Sequence, residues 1–374
     1  MYTKTNRNIS IDLFKCISMI MVIILHILGH GGILFAAVEG SLQSYILWLL
    51  EILCMCAVNC FAIISGYLLI TRLPSYKRIL NLWIQVVFYC IIITFFIILF
   101  FPNISSVLGK KNIILQSVFP LLNNQCGYFT CYFLLSIFIP FLNKFLNNLS
   151  HREYKTLVLL LFICFSIIPI LSRSDLFGTD NGYAAIWLFV MYIYGAYIKL
   201  FYKHNNGCPA KYLFFYFSSS TLAWFFKFFL FNNEVQIAQV LINKDIFIYY
   251  TSPFIVLSSI FLLLFFININ IKSKSFSKFI CYASSGSFAV ILIHDHPIIR
   301  SYFMNNLFVH LLQTSITMLI INVLGYSFLI FFACIFIDSI RQAVFNKLNF
   351  DKLVNRMLYI IKKIHKYMLT ILKI

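Results

Sequence analysis

ISIDLFKCISMIMVIILHILGHGG, residues Ile9–Gly32, decides the fold. About 20 apolar residues are needed for one helix to cross a bilayer, and this run supplies them. It also carries Asp12, Lys15 and His26. A cleaved secretory leader has an uncharged apolar core followed by a small-residue cleavage site. Neither is present, so the run reads as an uncleaved first span.

Runs of the same kind recur along the chain. We place ten, at about 9–29, 44–70, 79–101, 126–143, 155–171, 184–202, 212–231, 247–267, 280–300 and 315–340. Between Pro102 and Gln125 the apolar patches Ile113–Leu115 and Val118–Leu122 are too short to cross and are expected to dip into the membrane surface. Apolar residues make up 61% of the 374, charged residues 11%, and the mean hydropathy is +0.91. A chain of that length could not bury so much apolar surface in water. No room is left for a sizeable soluble domain.

The net charge of +18 would suit a nucleic-acid partner if it were gathered on a soluble face. Its distribution gives another reading. With the N-terminus in the cytoplasm, all but six of the 29 Lys and Arg residues fall on the cytoplasmic side, as the positive-inside rule requires. The exceptions are Lys110, Lys111, Arg173, Lys227, Lys244 and Arg300. The expectation is an all-α integral membrane protein with about ten transmembrane helices and both termini cytoplasmic. Its membrane domain spans residues 1–340. Residues 341–374 form a basic amphipathic tail, in which Leu353, Met357, Ile360, Ile364 and Tyr367 recur between lysines at helical spacing. Membrane lipids, not nucleic acid, are the partners this charge implies. The eleven cysteines lack the spacing of a disulfide or zinc framework; Cys54, Cys56 and Cys60 share one span, while Cys126 and Cys131 open another.

Ionisable groups inside spans are costly and mark function by default. Lys15 and His26 are eleven residues apart, about 20° from a whole number of helical turns, so they share a face and are separated by roughly 16 Å of rise. Asp12 sits one turn below Lys15 and His30 one turn above His26. One reading is a packing helix with a self-neutralised Asp12–Lys15 pair and a structural His26. The other is a path along which a phosphate-rich donor anchors near Lys15 and delivers its reactive end to His26, an imidazole able to take a hydroxyl proton near neutral pH. In span two, Glu51 shares a face with Val58 and Ser65. It would orient His26 or bind a hydroxyl, or else pair structurally with Lys227 or Arg300. His294 and His296 flank Asp295, but residues two apart on a helix point about 200° apart, so no metal site is expected there. His294, on the face of Ser287, would line the reaction cavity, and His296 and Arg300 would face its outer mouth.

Four segments carry a resemblance. Lys15-x10-His26, preceded by Arg7 and Asp12, is similar to the Arg/Lys-x10-His signature of the membrane acyltransferase-3 family. Phe61–Arg72 (FAIISGYLLITR) resembles that family's SG-[FY]-L-I segment. Gly127–Asn143 (GYFTCYFLLSIFIPFLN) resembles its aromatic-to-P-x-L-N stretch, with Tyr128 or Phe129 where Trp is common. Ser287–Arg300 (SFAVILIHDHPIIR) resembles its late H-x-x-P segment. The matches run in family order over nearly the whole chain. Lysine at position 15, where arginine is commoner, keeps the charge but loses the bidentate fork.

The resemblance implies a membrane O-acyltransferase that takes an acyl group, acetyl by expectation, from cytoplasmic acyl-CoA. The acceptor would be a hydroxyl of a saccharide or lipid-linked glycan at a bacterial inner membrane. It implies His26 as general base or transient acyl carrier, with Lys15 organising the site or holding the donor. Asp12, Glu51 and His294 complete the candidate catalytic set. Arg72, Lys77 and Arg78, at the cytoplasmic end of spans two and three, are candidates for the CoA phosphates, although the positive-inside rule alone would put cations there. The rival class is a transporter or flippase of lipid-linked sugars, which would show internal pseudo-repeats and paired broken helices; neither is visible in the sequence.

Overall fold

A computed structural model describes residues 7–73, 75–121, 127–203, 208–230 and 244–371, and among them there are helices and no strands. Seven helical segments are long and apolar enough to cross a membrane. They are α1 (Ile9–Leu28), the pair α2 (Leu42–Met55) and α3 (Ala57–Leu69), α4 (Tyr76–Phe100) and α7 (Gly127–Asn147). The others are α8 (His151–Phe162, continued helically to Ser172), α12 (Lys274–His294) and α13 (Ile316–Lys347). Two shorter apolar helices, α9 (Ala185–Phe201) and α11 (Pro253–Asn268), and between them the aromatic-rich helix α10 (Ala210–Phe225, continued by a π turn to Leu230) complete the set. Each predicted span thus has its helix, and the chain is a multi-pass membrane protein. Leu122, Cys126, Phe231, Lys4 and Lys373, which bound or flank predicted segments, lie outside the described residues.

The first span is the hub of the bundle, not a peripheral anchor. It packs against α2, α3, α11, α12 and α13. Of its apolar window 72% is buried, against 28% for α4 and 11% for α8, whose exposed aliphatic faces are left for lipid. Asn8 begins it by accepting the Ile11 N–H. Beyond Leu28, Gly31 has no room for a Cβ, which would meet the Ile27 carbonyl at 2.1 Å, and Gly32 sits at φ +84°. The emerging chain is therefore held close: His30 and Gly31 carbonyls accept the Asn306 and Phe308 N–H groups at 3.1 Å each.

The motif glycine of span two has a packing cause. A Cβ on Gly66 would lie 2.0 Å from the Tyr192 carbonyl oxygen, and one on Gly195 would lie 1.9 Å from that of Ile63. The backbones of α3 and α9 touch across this pair of small residues. Asn143 of α7 has an equally concrete task. Its amide donates to the Leu69 carbonyl at 2.8 Å and accepts the Tyr192 hydroxyl at 2.7 Å, while Asn147 donates to Ile70. Carbonyls at the end of a helix lack an intrahelical partner, and these amides supply one.

Several boundaries differ from expectation. Span two is interrupted at Cys56, so Glu51 and Ser65 lie on separate helices and do not form one continuous face. Span eight begins at Pro253, whose ring suits a first helical position; residues 248–252, predicted as helix, form a turn instead. Span nine runs from Lys274 to His294, and Pro297 opens a separate short turn. The stretch after α4 holds two short helices, α5 (Pro102–Leu108) and α6 (Lys110–Val118), broken at Gly109 with φ +77° and packed on α4. The last long helix passes residue 340 and ends at Lys347; α14 (Phe350–Ile371) then turns back, with Val354 buried and Phe350 stacked on Phe345 at 4.2 Å.

One buried carboxylate escaped the sequence reading. Asp338 of α13 is 0% exposed and accepts from the Tyr89 hydroxyl at 2.7 Å, Arg341 at 2.6 Å and Gln342 at 2.7 Å. It is fully partnered and ties α13 to α4, which is a structural role.

Candidate active site

The bundle has two ends. The end where α1 begins, here the near end, gathers Arg7, Asp12, Lys15, Arg72 and Arg78. The far end gathers His26, His30, His294, Asp295 and Arg300.

At the near end Asp12 is the centre of a small ionic cluster. Lys15 Nζ lies 3.0 Å from Asp12 Oδ1, Arg7 pairs with Oδ2, and Ser284 of α12 donates to Oδ1 at 3.0 Å. Arg7 also donates to the Cys281 carbonyl at 3.0 Å. One carboxylate with two cations leaves a net positive charge where α1 meets α12. Lys15, about 16 Å of helical rise below His26, cannot touch it.

A separate cavity of about 220 Å3 opens at the same end between α3, α4 and α7. Arg72 and Arg78 both line it, with Ser75, Tyr76 and Ser136. Arg78 donates to the Tyr132 hydroxyl at 3.3 Å, and that hydroxyl lies 3.0 Å from Ser65 Oγ. Tyr128 stacks one turn further along α7, its hydroxyl buried without a hydrogen-bond partner. A polar track therefore leads from the two guanidiniums into the bundle. Lys77 does not join them: its ammonium pairs with Asp351 of α14 at 2.8 Å. Tyr128 was noted only as a stand-in for Trp and Tyr132 was missed, although their i, i+4 spacing in span four was visible.

At the far end α1 and α12 bring two imidazoles together. His26 Nδ1 lies 3.0 Å from His294 Nε2. His294 Nδ1 lies 2.6 Å from the Val290 carbonyl, an atom that only accepts, so Nδ1 of His294 carries the proton. Its Nε2 is then the acceptor, and His26 must donate through Nδ1. In neutral His26 the lone pair is thereby assigned to Nε2. A backbone carbonyl one turn down α12 fixes the tautomer of a side chain on α1.

Asp295, the residue that ends α12, stands beside this pair. Its Oδ1 is 3.7 Å from His26 Nδ1 and 3.5 Å from Arg300, with no hydrogen bond of its own. Burial pushes its carboxyl above the ordinary range. The His30 ring lies 5.1 Å from His26, and burial pulls its imidazole below the ordinary range. His296 does not face an outer mouth, as its place in the sequence suggested. It is 3% exposed, accepts the Ile298 N–H through Nδ1, and burial pulls it down to about 4. Arg300 does remain half-exposed, paired to Asp295.

Glu51 is half-buried, with its Oε2 atom buried and unpartnered, and the groups within its electrostatic reach include Cys54 and Tyr250. The orienting contact on His26 comes from His294. Neither expected cation pairs with Glu51: Lys227 takes Asp245 and lies 3.9 Å over the Trp48 ring, and Arg300 takes Asp295.

One atom each from His26, His30 and Asp295 lies within 4.8 Å of the others, a grouping the sequence reading did not anticipate. Zinc bonds of about 2.05 Å would require ligand atoms roughly 3.4 Å apart in a tetrahedral site. The group would have to contract, and His26 Nδ1 is already given to His294.

The arrangement of one imidazole free at Nε2, one imidazole fixing it and a carboxylate beside both is the common equipment of acyl-transfer catalysis. The family model described as an acyltransferase domain, that of acyltransferase family 3, matches residues 8–339. The chain belongs to that family. It is a membrane acyltransferase, and the match runs from the residue that caps α1 into the last turns of α13, taking in Asp12, Lys15, the far-end histidines and the cavity at Arg72 and Arg78. A search of curated proteins and one of solved structures each found no match.

Proposed function

We propose that this acyltransferase moves an acetyl group from cytoplasmic acetyl-CoA to a hydroxyl of a saccharide or lipid-linked glycan, at a bacterial inner membrane, with His26 as the catalytic imidazole. The near end faces the cytoplasm, because the Lys and Arg residues that flank the spans concentrate there. The observation that carries the reading is the relay from the Val290 carbonyl through His294 to His26, which leaves the Nε2 lone pair available at the far end of the central helix.

In this reading the acceptor hydroxyl gives its proton to His26 Nε2 as its oxygen attacks the thioester carbonyl. The C–S bond breaks, and the thiolate of CoA takes the proton back from the ring. While His26 is protonated, the Asp295 carboxylate 3.7 Å from Nδ1 opposes the charge. The same lone pair would serve if His26 itself carried the acyl group between donor and acceptor. Arg72 and Arg78 hold the CoA phosphates, supported by their shared cavity and the polar track that leaves it through Tyr132. Lys15 and Arg7 supply positive potential where α1 and α12 meet.

The test is acetyl transfer from labelled acetyl-CoA by purified protein in nanodiscs, read as label in glycan and as release of CoA. His26→Ala should lower both by about 10²–10⁴-fold, the usual contribution of a positioned acid–base group. Undiminished transfer by that variant would overturn the assignment.

A further inference from the structure

A second polar cavity, of about 230 Å3, lies at the far end between the close of α8, the loop that follows it and the turn before α11. Nothing in the mechanism uses it. Ser166 and Ser252 line it, each 1% exposed, and each hydroxyl is buried without a hydrogen-bond partner. Leaving a buried hydroxyl unpaired costs about 1–3 kcal/mol. Two such groups on one cavity, from different elements, point to a ligand that supplies the missing bonds. Ser166 also sits in the π turn of residues 163–167, a helix irregularity that often accompanies a functional site.

The rest of the lining says what kind of ligand. Asn181 and Thr251 add further polar groups, and Ile246 and Pro169 give an apolar wall. Arg173 and Asp175 bring one charge of each sign, so an anion such as phosphate gains no net attraction. Although burial works against it, hydrogen bonds from Thr179 and the backbone of Asp180 and Asn181 hold the Asp175 carboxyl below its ordinary range, ionised. The volume is below the roughly 300–1,000 Å3 of pockets for drug-sized ligands. An uncharged, polyhydroxylated ring the size of one sugar residue fits these terms.

The cavity shares a wall with the catalytic end. Tyr249, Thr251 and Ser252 line it, while Tyr250 between them is buried, meets the Tyr183 ring edge-on at 5.1 Å and lies within electrostatic reach of Glu51 and Asp295. The Tyr250 carbonyl is pinned by the Asn59 amide at 2.9 Å. The residue between two cavity-lining neighbours is thus within electrostatic reach of Asp295, the carboxyl beside His26.

We propose that this cavity is a positioning subsite for one uncharged sugar residue of the acceptor, next to the residue that is acylated. The proposal rests on the glycan-acylation reading above but is tested by binding alone. Saturation-transfer NMR on the full chain in nanodiscs, with the methyl glycosides of glucose, galactose, mannose and N-acetylglucosamine, should show transfer to at least one. Ser252→Leu fills the cavity, and Asn181→Gly removes the amide at a residue whose φ of 53° glycine accepts. Each should lower the signal at least fivefold, and His26→Ala should leave it unchanged. No transfer to any of the four, or undiminished transfer in both cavity variants, overturns the subsite. An octyl glycoside bound more than tenfold tighter than its methyl counterpart would also overturn it, in favour of a glycolipid headgroup. Sugar binding retained by a protein that acetylates no glycan would leave the subsite standing and remove the glycan-acylation reading.

Discussion

Replacing His294 tests the relay at the point where it can fail without removing the base. In His294→Leu the His26 Nδ1–H loses its 3.0 Å acceptor, and the link to the Val290 carbonyl is lost with it. A neutral hydrogen bond contributes about 0.5–1.5 kcal/mol, and a buried donor left unpaired costs about 1–3 kcal/mol. The His26 ring is then free to turn or to place its proton on Nε2, where it cannot accept one. A cost of roughly 1.4–2.7 kcal/mol corresponds to a fall in kcat of about 10–100-fold. This is smaller than the 10²–10⁴-fold expected for His26→Ala. KM for acetyl-CoA should stay within about twofold, because the donor cations lie at the other end of the bundle. His294→Gln, whose amide oxygen can accept, should recover most of the loss. In the double variant His26→Ala/His294→Leu the rate should equal that of His26→Ala alone, since residues acting as one unit are not additive. The assay is acetyl transfer under saturating donor in nanodiscs. A double variant that loses the product of the two single effects would refute the relay.

Gly66→Val should prevent accumulation of folded protein, because its Cβ would sit 2.0 Å from the Tyr192 carbonyl; size-exclusion chromatography reads the loss, and a well-behaved monodisperse variant would contradict the close contact. Arg72→Ala and Arg78→Ala should each raise KM for acetyl-CoA about tenfold, the worth of one charge-assisted contact of roughly 1.4 kcal/mol. Lys77→Ala should leave that KM unchanged, since its ammonium is engaged by Asp351. His296, pulled down to about 4 from an ordinary value near 6.5, binds a proton more readily in the unfolded chain. Its contribution to stability is therefore intact above about pH 6.5 and is lost as the pH falls towards 4. The melting temperature should drop between pH 7 and 5, and His296→Asn, which keeps an acceptor for the Ile298 N–H, should flatten that slope; an unchanged slope counts against the buried neutral ring.

The bundle was legible because lipid leaves few alternatives. A run of about 20 apolar residues can only be helical if it spans, and among the described residues each of the ten runs is helical, the second as two helices, with shifts at their ends. The shifts have local causes: Pro253 starts a helix six residues later than expected, and Cys56 interrupts one that looked continuous. The face shared by Lys15 and His26 followed from helical spacing alone, as did the Asp12–Lys15 pair at 3.0 Å. Partners from other helices were another matter. Hydropathy has no term for which face of α12 meets α1, so His294 was placed near the site but its contact with His26 was not foreseen. For the same reason His296 was sent to the mouth and found buried, and Asp338 was overlooked. Lys77 shows the limit most simply: three adjacent cations look alike in sequence, and one acidic residue of the tail separates one from the other two.

The position of α1 sets how tightly the Lys15–His26 spacing is constrained. A residue on α4 or α8 mostly faces lipid, where any apolar side chain serves. On α1, with 72% of its window buried and five helices around it, nearly every side chain has a designated neighbour. Asp12, which pairs with Lys15 and Arg7, must meet Ser284, and His26 must meet His294, both on the same partner helix α12. The near-end and far-end contacts fix both the register and the rotation of α1 against α12. A one-residue slip would turn α1 by about 100° and undo both ends at once. The spacing of ten residues between Lys15 and His26 is thus a constraint on helix packing as much as a record of chemistry. A substitution that merely rotates α1 should cost activity as surely as loss of His26.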